Sequence, residues 1–527
     1  MSLLNREEWV KGLSTHPDRE FVSTLISYID FGVPLLFEGP DLNQTFPNWK
    51  SCTDLRDAVY GSMLYDISRN WKVGPFETQP FPTFVGSPMG AFSKPAASTG
   101  VDKVRVIHDL SWPPEHSVNS YIPREVCSVQ YVTIETAVAI VKSIGQGCLM
   151  GKIDLSNAYK QVGVRPDDWH LLGSTWIDDS GDTVFYYDTV LPFGGRSSAS
   201  LFNKFADGLE YIMCCNGVSS MIHYLDDMFT AGDPSTSQCL NNMNIMLDTC
   251  TRCGVEVNPS KTILPTTVIE FLGIIIDSVK MELRMSEARL LAIKTELRWW
   301  LGRRTGAKRS LLSLIGKLSF LSRIIQPGRT FLRRIITLSM RGKQLHHKMK
   351  LNSSARGDVT WWLHCVDNWN RKSVFLDDAW TPSPDFCLYT DASGVGIGGV
   401  FRNQWYSERL RPAERLRSIA WRELFAMVVA CRIWGHLFIG RRMLIYCDNQ
   451  SVVEIVNFGS SKCQLVMCLV RSLYYLAVRF NFDIKLRHVP GLDNKAADWL
   501  SRHAVSDFLE HYGDSYVRER SLVSRDF

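Results

Sequence analysis

Several features that define other protein classes are absent from this sequence. The 14 cysteines are scattered, without the paired spacing of a zinc site or a disulfide framework. No secretory segment is recognisable at the start, and the longest apolar stretch, residues 424–440, is interrupted by Arg432 and His436. We therefore expect no membrane contact and a reducing, intracellular setting, in the cytoplasm or the nucleus.

The bulk composition is that of a globular protein with several domains. The chain has 527 residues, of which 45% are hydrophobic and 21% charged. Its net charge is only +5, yet residues 281–350 carry 17 Lys and Arg against three acids. A basic segment within an otherwise acidic chain indicates a polyanionic partner, although a solvated helical face is the alternative.

The chain is organised around Tyr224-Leu225-Asp226-Asp227, which has apolar residues on both sides. Adjacent buried carboxylates repel each other and lose hydration, so they persist where cations neutralise them. Hard divalent ions prefer such oxygen ligands. The stretch predicts a β-hairpin with a metal-binding turn; an exposed Asp-Asp turn is the alternative.

Three earlier stretches complete this first group. An apolar strand ends at Asp154, and Tyr159 follows on a turn or short helix. Residues 191–195 form a flexible loop before a helix, and three apolar residues at four-residue spacing in this helix bury one face. Gly194 and Gly195 would let a base pair approach the backbone closely. The alternating residues 101–110 predict a strand, where Arg105, with Lys94 on the preceding segment, could hold a triphosphate.

After the hairpin, the sequence predicts a helix near residues 235–253 and an apolar strand over residues 270–277. The basic segment then shows apolar residues at helical spacing with cations facing outward, as a helix bundle that follows a phosphate backbone requires. The six cations that we place on this surface are Lys308, Arg309, Lys317, Arg329, Arg333 and Arg334.

A second group of acids begins at residue 385. Asp391 ends a strand, Glu423 lies on an apolar helix, Asp448 ends another strand, and Asp498 follows His488 near the end of the group. The four glycines that closely follow Asp391 predict a hairpin. Any one of these acids is an ordinary surface carboxylate when it is considered alone. Their order on a strand–helix–strand–helix scaffold is what indicates a site.

The first group resembles the palm motifs of reverse transcriptases. The resemblance implies that Asp154, Asp226 and Asp227 are catalytic carboxylates that bind magnesium, and that Tyr159 excludes a ribose 2′-hydroxyl. Phe193 stands where retroviral enzymes have glutamine, and Lys261 stands where a proton donor to pyrophosphate has been proposed. By the same resemblance, Phe271-Leu272-Gly273 matches the primer-grip hairpin. Around the incoming nucleotide the resemblance places Lys94, Arg105, Tyr159, Phe193, Gly194 and Lys261.

The second group resembles ribonuclease H. By that resemblance two metal ions bind to four acids, and His488, on a mobile loop, assists product release; the four acids are Asp391, Glu423, Asp448 and Asp498. Residues 316–320 and 327–332 look most like those of DIRS-like and Ngaro-like retrotransposons, which encode a tyrosine recombinase.

The resemblances imply a multidomain α+β and α/β fold, with a right-hand polymerase of fingers, palm and helical thumb followed by an RNase H-like domain. They imply Mg²⁺, or Mn²⁺, as cofactor. The expected partners are an RNA template, a DNA primer, an RNA:DNA hybrid, deoxynucleoside triphosphates and the element's recombinase; the chain could be a monomer or a dimer. The expected divisions are an N-terminal extension (1–85), fingers and palm (86–280), thumb (281–350), connector (351–383), RNase H domain (384–505) and tail (506–527).

The implied function is RNA-directed, and also DNA-directed, DNA synthesis with cleavage of the RNA strand of hybrids. One alternative is an RNA-dependent RNA polymerase, but Tyr159 and a nuclease domain argue against it. A second is a catalytically inactive, domesticated relic that binds nucleic acid, but all seven acids are present. Asp179-Ser180-Gly181 is a hairpin turn between polymerase motifs rather than a protease motif.

Overall fold

The computed structural model describes residues 4–94, 103–369, 372–488 and 494–512. Contacts divide the chain into two compact units, Met1–Ile269 and Glu270–Phe527. Within the described ranges, no helix is both long and apolar enough to cross a bilayer.

The first unit combines seven helices with three sheets in its described part. Its helices are α1 (Arg6–Gly12), α2 (Arg19–Phe31), α3 (Lys50–Asp54), α4 (Arg56–Ser68), α5 (Ile134–Ile144), α6 (Ser198–Cys215) and α7 (Gln238–Cys253). Its strands are β1 (Gln44–Thr45), β2 (Lys72–Phe76), β3 (Val85–Gly86), β4 (Met89–Lys94), β5 (Lys103–His108), β6 (Leu149–Asp154), β7 (Gly173–Ile177), β8 (Thr183–Asp188), β9 (Met221–Tyr224), β10 (Asp227–Gly232) and β11 (Ile263–Thr266).

The sheet with strand order β11-β6-β10-β9 is central to this unit, and α6 and α7 pack against it. The helix predicted after the 191–195 loop is confirmed as α6, and its residues Leu201, Phe205 and Leu209 are buried as the spacing predicts. The helix predicted near residues 235–253 is confirmed as α7, which ends at Gly254 with a left-handed φ of +73°.

Residues 1–85 are built into the same unit. The fully buried Trp9 of α1 donates from its indole nitrogen to the Cys253 carbonyl at 3.0 Å, and its ring lies 6.0 Å from that of Phe205. Strand β2 pairs with β8, and β1 pairs with β3. The expected extension therefore contributes to the core beneath the central sheet as well as to the β1-β3-β7-β8-β2 sheet.

The second unit begins within strand β12. Its strands are β12 (Val268–Phe271), β13 (Ile274–Asp277), β14 (Glu282–Arg284), β15 (Thr305–Ala307), β16 (Lys348–Lys350), β17 (Lys372–Val374), β18 (Thr381–Pro382), β19 (Leu388–Ala392), β20 (Gly396–Phe401), β21 (Gln404–Arg409), β22 (Arg442–Cys447) and β23 (Asp483–His488). Its helices are α8 (Glu287–Leu301), α9 (Lys308–Leu321), α10 (Arg333–Met340), α11 (Ser353–Asn368), α12 (Ser383–Phe386), α13 (Pro412–Arg415), α14 (Ile419–Trp434), α15 (Gln450–Phe458), α16 (Gln464–Phe480), α17 (Lys495–Ser501) and α18 (Val505–Tyr512).

The single strand predicted over residues 270–277 is wrong, and a hairpin is found at residues 271–273, where the resemblance implies one. Two strands, β12 and β13, meet at a turn in which Leu272 and Gly273 have φ values of +49° and +75°. Arg289 donates to the Gly273 carbonyl at 2.7 Å and fixes this turn. Continuous apolar residues do not reveal a turn when the first turn residue is itself apolar.

The last part of the unit contains an antiparallel sheet, β19-β20-β21, and a second sheet, β18-β22-β23, whose strands β22 and β23 are parallel. Helices α15 and α16 connect the parallel strands, as such a crossover requires. The predicted hairpin after Asp391 is confirmed by the register of β19 with β20. Helix α14 is almost entirely buried and packs against β19 and β20.

Candidate active sites

The two adjacent aspartates lie at the tip of the β9–β10 hairpin, which confirms the predicted hairpin. Tyr224 ends β9 and is the cross-strand partner of Asp227, which begins β10. Between them, Leu225 has a φ of +53°. A residue other than glycine rarely adopts this conformation, and such residues concentrate at functional sites.

Strand β6 brings the third aspartate to the same end of the sheet. Asp227 is directly opposite Asp154 in the antiparallel pairing of β10 with β6. The amide of Leu155 donates to the Asp226 carbonyl at 2.9 Å. Because directly opposed residues project from the same face of a sheet, Asp154 and Asp227 share one face.

The electrostatics of the hairpin match a crowded acidic site. Burial raises the pKa of Asp226, and the charges of Asp227 and Asp154 raise it further. Burial also raises the pKa of Asp227, where Lys152, with its Nζ 3.5 Å from the carboxylate, opposes the effect. These acids ionise less readily than isolated ones unless a cation approaches them.

Lys261 supplies such a cation. Its Nζ lies 2.8 Å and 2.9 Å from the two carboxylate oxygens of Asp154. The resemblance implied that Lys261 donates a proton to pyrophosphate, whereas in the structure its ammonium group contacts Asp154. Lys261 would have to leave Asp154 to reach a pyrophosphate group.

The donor chemistry of this end of the sheet suits a divalent ion. Three carboxylates at adjacent strand ends provide only oxygen ligands, which Mg²⁺ and Mn²⁺ prefer. In the part of the chain that the structure describes, however, no three His, Cys, Asp or Glu side chains converge on a single point. Lys152 and Lys261 neutralise the acids in this arrangement.

Tyr159 forms one wall beside these acids, on a short 3-10 helix, Ala158–Gln161, as predicted. Its ring centroid lies 5.1 Å from that of Phe193 and 5.6 Å from that of Phe202 on α6. Burial raises the pKa of Tyr159 to about 12, and nearby Asp226 contributes. The phenol therefore stays neutral at neutral pH.

The loop before α6 needs glycine for a reason inside the protein. Gly194 has a φ of +128°, and a Cβ there would lie 2.1 Å from the His108 carbonyl oxygen. Asn119 also donates to the Gly194 carbonyl at 2.8 Å. A side chain at position 194 is therefore already excluded by the His108 carbonyl, whether or not a base pair also approaches this glycine.

The predicted triphosphate residues lie on the β4–β5 hairpin, which confirms the predicted strand. Arg105 is opposite Phe92 and is exposed. Its guanidinium makes no ion pair with a described residue. The side chain of Lys94 lies outside the described residues.

The second group of acids surrounds the end of β19. Asp391 is on β19, and Arg422 of α14, the residue before Glu423, donates to the carbonyl of Ser393 at 2.6 Å. Asp448 directly follows β22, and Asp498 lies on α17, which packs against β19.

Charge coupling shows that these acids are neighbours. Burial raises the pKa of Glu423 to about 9, and the charges of Asp391 and Asp448 add to the rise. Burial raises the pKa of Asp391, with contributions from Asp498 and Asp448. Asp498 itself is paired with Arg502 at 2.8 Å. At neutral pH, Glu423 holds its proton until a cation displaces it.

The expectation that His488 lies on a mobile loop is wrong for the residue itself. His488 is the last residue of β23 and is paired with Cys447 of β22. Its Nε2 lies 3.2 Å from the Asp448 carbonyl oxygen. The pairing of β22 with β23 therefore continues through His488, although the Val-Pro-Gly sequence that follows had suggested that His488 lies in a loop.

The predicted helices of the basic segment are confirmed as α8, α9 and α10, but several of the six selected cations are engaged within the protein. Lys308 donates to the Gly342 carbonyl at 2.7 Å, and Lys317 pairs with Glu296. Arg334 lies 3.0 Å from Asp358. The other three, which are exposed, are Arg309, Arg329 and Arg333.

Asp358 explains the position of Arg334. This carboxylate is fully buried, and its Oδ1 also accepts from Arg471 of α16 at 2.8 Å. Removal of one partner of a buried ion pair is costly, so Arg334 has a structural role. Sequence reasoning missed this because Asp358 and Arg471 are distant in sequence.

The Pro-Gly-Arg-Thr-Phe turn, within the 3-10 helix Gln326–Phe331, also has a structural role. Phe331 is fully buried, with its ring 4.2 Å from that of Trp361. A Cβ at Gly328 would lie 2.2 Å from Trp362. The pattern that suggested a retrotransposon subfamily therefore forms part of the helical core.

Two residues near the first site were missed. Lys152 lies two residues before Asp154, so the alternation of a strand could have placed it on the same face. His223, beside Tyr224, contacts Asp207 and Glu210 of α6. Asp207 and Glu210 are three residues apart, so the sequence indicates that they share one face of a helix. It does not show that this face packs against β9.

Two family models match parts of the chain. Residues 97–276 match "Reverse transcriptase (RNA-dependent DNA polymerase)". Residues 381–476 match "RNase H-like domain found in reverse transcriptase". Each match contains one of the two groups of acids, except that the second ends before Asp498.

Curated relatives are distant and much longer. The chain is 22% identical over 409 residues to Polyprotein P3 of Commelina yellow mottle virus, which covers 73% of this chain and 20% of that protein. It is 21% identical over 439 residues to the retrovirus-related Pol polyprotein from transposon 297 of Drosophila melanogaster, which covers 80% of this chain and 36% of that protein. The chain thus spans well under half the length of either relative.

Two solved structures of a foamy viral protease–reverse transcriptase are similar to the chain. One is in complex with double-stranded DNA; the match covers 92% of this chain and 82% of that chain, with a TM-score of 0.49 and 15% identity. The other is in complex with an RNA/DNA hybrid; the match covers 93% of this chain and 64% of that chain, with a TM-score of 0.47 and 15% identity.

Proposed function

We propose that this chain, a mixed α/β protein with a reverse transcriptase domain followed by an RNase H-like domain, synthesises DNA on RNA and DNA templates and cleaves the RNA strand of hybrids. The observation that carries the proposal is the position of Asp154, Asp226 and Asp227 at one end of a sheet within the matched reverse transcriptase region. The retrotransposon and retroviral Pol relatives agree with this function at the level of the family.

At the polymerase site, we assign Asp154, Asp226 and Asp227 to the binding of two Mg²⁺ ions, or Mn²⁺. When bound, these ions would neutralise the triphosphate and lower the pKa of the primer 3′-hydroxyl. The protein residues would bind and orient the nucleotide: we assign Tyr159 to limiting the space at the sugar, and Arg105 and Lys94 to binding the triphosphate. Catalysis would then consist of positioning and charge neutralisation.

At the nuclease site, Asp391, Glu423, Asp448 and Asp498 are the proposed ligands. The proton that Glu423 holds at neutral pH must leave when a divalent ion binds. His488 is fixed by the Asp448 carbonyl close to this site. We propose that His488 assists departure of the cleaved RNA and that it does so from its position at the end of β23, not from a loop.

The remaining assignments extend the proposal. Residues 86–280 would form fingers and palm, residues 281–350 the thumb, residues 351–383 a connector and residues 384–505 the nuclease domain. Arg309, Arg329 and Arg333 are the proposed phosphate contacts among the selected cations that are exposed. The DIRS-like or Ngaro-like subtype, and with it a tyrosine recombinase partner, rests on the sequence of residues 316–320 and 327–332.

Primer extension with the purified chain tests the proposal. A DNA primer on an RNA template, with Mg²⁺ and deoxynucleoside triphosphates, should be extended, and the RNA of the product should be cut. Binding of the duplex without extension or cleavage would instead support an inactive, nucleic-acid-binding relic.

A further inference from the structure

We infer that His223 is a positioning residue of the polymerase site, because it connects the strand that leads into the Asp226 turn to helix α6. The inference rests on the proposed function for its kinetic consequences. Its structural part concerns only how the β9–β10 hairpin is held.

The geometry around the ring is specific. One nitrogen, Nε2, lies 3.3 Å from Oδ1 of Asp207, and the other, Nδ1, contacts Oε2 of Glu210. An imidazole that faces a carboxylate on each nitrogen donates from both, so it carries a proton on each. His223 is therefore an imidazolium held between two residues of one helix face.

The charge state has a definite cause. Burial of the ring, whose side chain is only 10% exposed, would by itself lower the pKa of His223. The hydrogen bonds to Asp207 and Glu210 outweigh burial and raise this pKa to about 9. The ion pairs are thus present throughout the neutral range.

Strand β9 needs an external support. It has four residues and lies at the edge of the β11-β6-β10-β9 sheet, where β10 is its only strand partner in the described part of the chain. An edge strand is held by hydrogen bonds on one side alone. Its position therefore depends on α6, and His223 supplies charged contacts between the two.

Helix α6 also contacts the wall of the nucleotide site. Phe202 of this helix packs against Tyr159. Phe202, Asp207 and Glu210 lie within nine residues of one continuous helix, a span of about 12 Å at 1.5 Å per residue. Helix α6 thus contacts both the β9–β10 hairpin, through His223, and Tyr159, through Phe202, and it fixes their relative positions.

Removal of the imidazolium would leave a charge imbalance. Neither Asp207 nor Glu210 pairs with another cation among the residues described; Asp207 otherwise accepts from Asn203 at 3.0 Å. Burial raises the pKa of Cys214 on the same helix, and the charge of Glu210 raises it further. Without His223, two carboxylates one helical turn apart would repel each other beside β9.

The test compares three full-length variants with the wild type. His223→Leu removes the ion pairs, His223→Lys restores a cation, and His116→Leu is the same type of substitution at an exposed histidine of the first unit. Amide hydrogen exchange of residues 221–232 is measured without metal or substrate. Steady-state addition of one nucleotide and cleavage of a hybrid are then measured on the same preparations.

In His223→Leu, we expect hairpin exchange to accelerate about tenfold or more while the rest of the unit changes little. The kcat of nucleotide addition should fall about tenfold or more, with KM within about threefold and cleavage unchanged, since sub-ångström misplacement slows chemistry. His223→Lys should recover most of both losses, and His116→Leu should match the wild type.

Two results would overturn the inference: unchanged hairpin exchange in His223→Leu, or equal acceleration across the whole unit, which would mean a general loss of stability. An unchanged kcat with faster hairpin exchange would also overturn the positioning role. Failure of the wild type itself to add nucleotides would refute the proposed polymerase, and the exchange data would still decide whether His223 holds the hairpin.

Discussion

Lys261 donates from its Nζ to both carboxylate oxygens of Asp154, at 2.8 Å and 2.9 Å. The lysine side chain is 53% exposed and that of Asp154 only 7%. A buried carboxylate thus keeps a charged partner that can move into solvent when a divalent ion binds. If the proposed metal binding is correct, Lys261 would compete with a divalent ion for Asp154.

The first prediction follows from this competition. In metal-free protein, Lys261→Met should lower the free energy of unfolding by about 1–2 kcal/mol, because Asp154 stays buried without its partner. Mg²⁺ should restore most of the loss. Denaturant unfolding with and without Mg²⁺ measures both, with Lys204→Met as control. An equal loss under both conditions would show that Lys261 and metal do not compete.

The second prediction concerns sugar choice at Tyr159. Tyr159→Ala and Tyr159→Val should raise the use of ribonucleotides relative to deoxynucleotides by roughly tenfold to a hundredfold, because the ring no longer fills the space of a 2′-hydroxyl. Tyr159→Phe keeps the ring and its contacts with Phe193 and Phe202, so its discrimination should stay at the wild-type level. Competition between the two nucleotides in single-turnover incorporation is the measurement. Unchanged selectivity in the Ala and Val variants would remove this role.

The third prediction is a pH dependence of stability at His223. Its pKa rises from 6.5 to about 9 on folding, so its contribution is complete below about pH 6.5 and is lost as pH rises through 9. The difference in free energy of unfolding between wild type and His223→Gln should therefore shrink by about 2–3 kcal/mol across this window. A difference that stays constant from pH 6 to 10 would contradict a protonated ring.

The fourth prediction concerns the basic segment. Arg309 and Arg333 are exposed and pair with no acid among the described residues. If both contact phosphates, Arg309→Gln with Arg333→Gln should flatten the log–log salt dependence of duplex binding by roughly 1.4–1.8. Arg334→Gln is the control: it should lower thermal stability with little change in slope. The reverse pattern would assign the phosphate contacts to Arg334.

Much of the fold could be predicted from sequence where the signal is local. The acid hairpin, α6, α7 and the helices of the basic segment follow from alternation, helical spacing and turn residues within short windows. The strand over residues 270–277 was predicted wrongly, because apolar Leu272 takes a turn conformation that glycine normally marks.

The partners of charged residues could not be predicted, since they depend on packing between distant elements. Arg334 was chosen for its charge, yet the fully buried Asp358 on α11 determines its position. Gly194 was chosen for access by a base pair, yet the His108 carbonyl requires it. Most of the acids stand at or beside strand ends, a feature visible within a few residues, whereas Glu423 and Asp498 lie on helices and were identified through the resemblance.

The central claim is that two separate groups of acids carry two separate chemistries. Asp226→Asn and Asp448→Asn, each in the full chain, should be assayed for nucleotide addition and for hybrid cleavage on the same preparations. The account predicts that Asp226→Asn abolishes addition and retains cleavage, and that Asp448→Asn does the reverse. Loss of both activities in either folded variant, or retention of addition in Asp226→Asn, would contradict it.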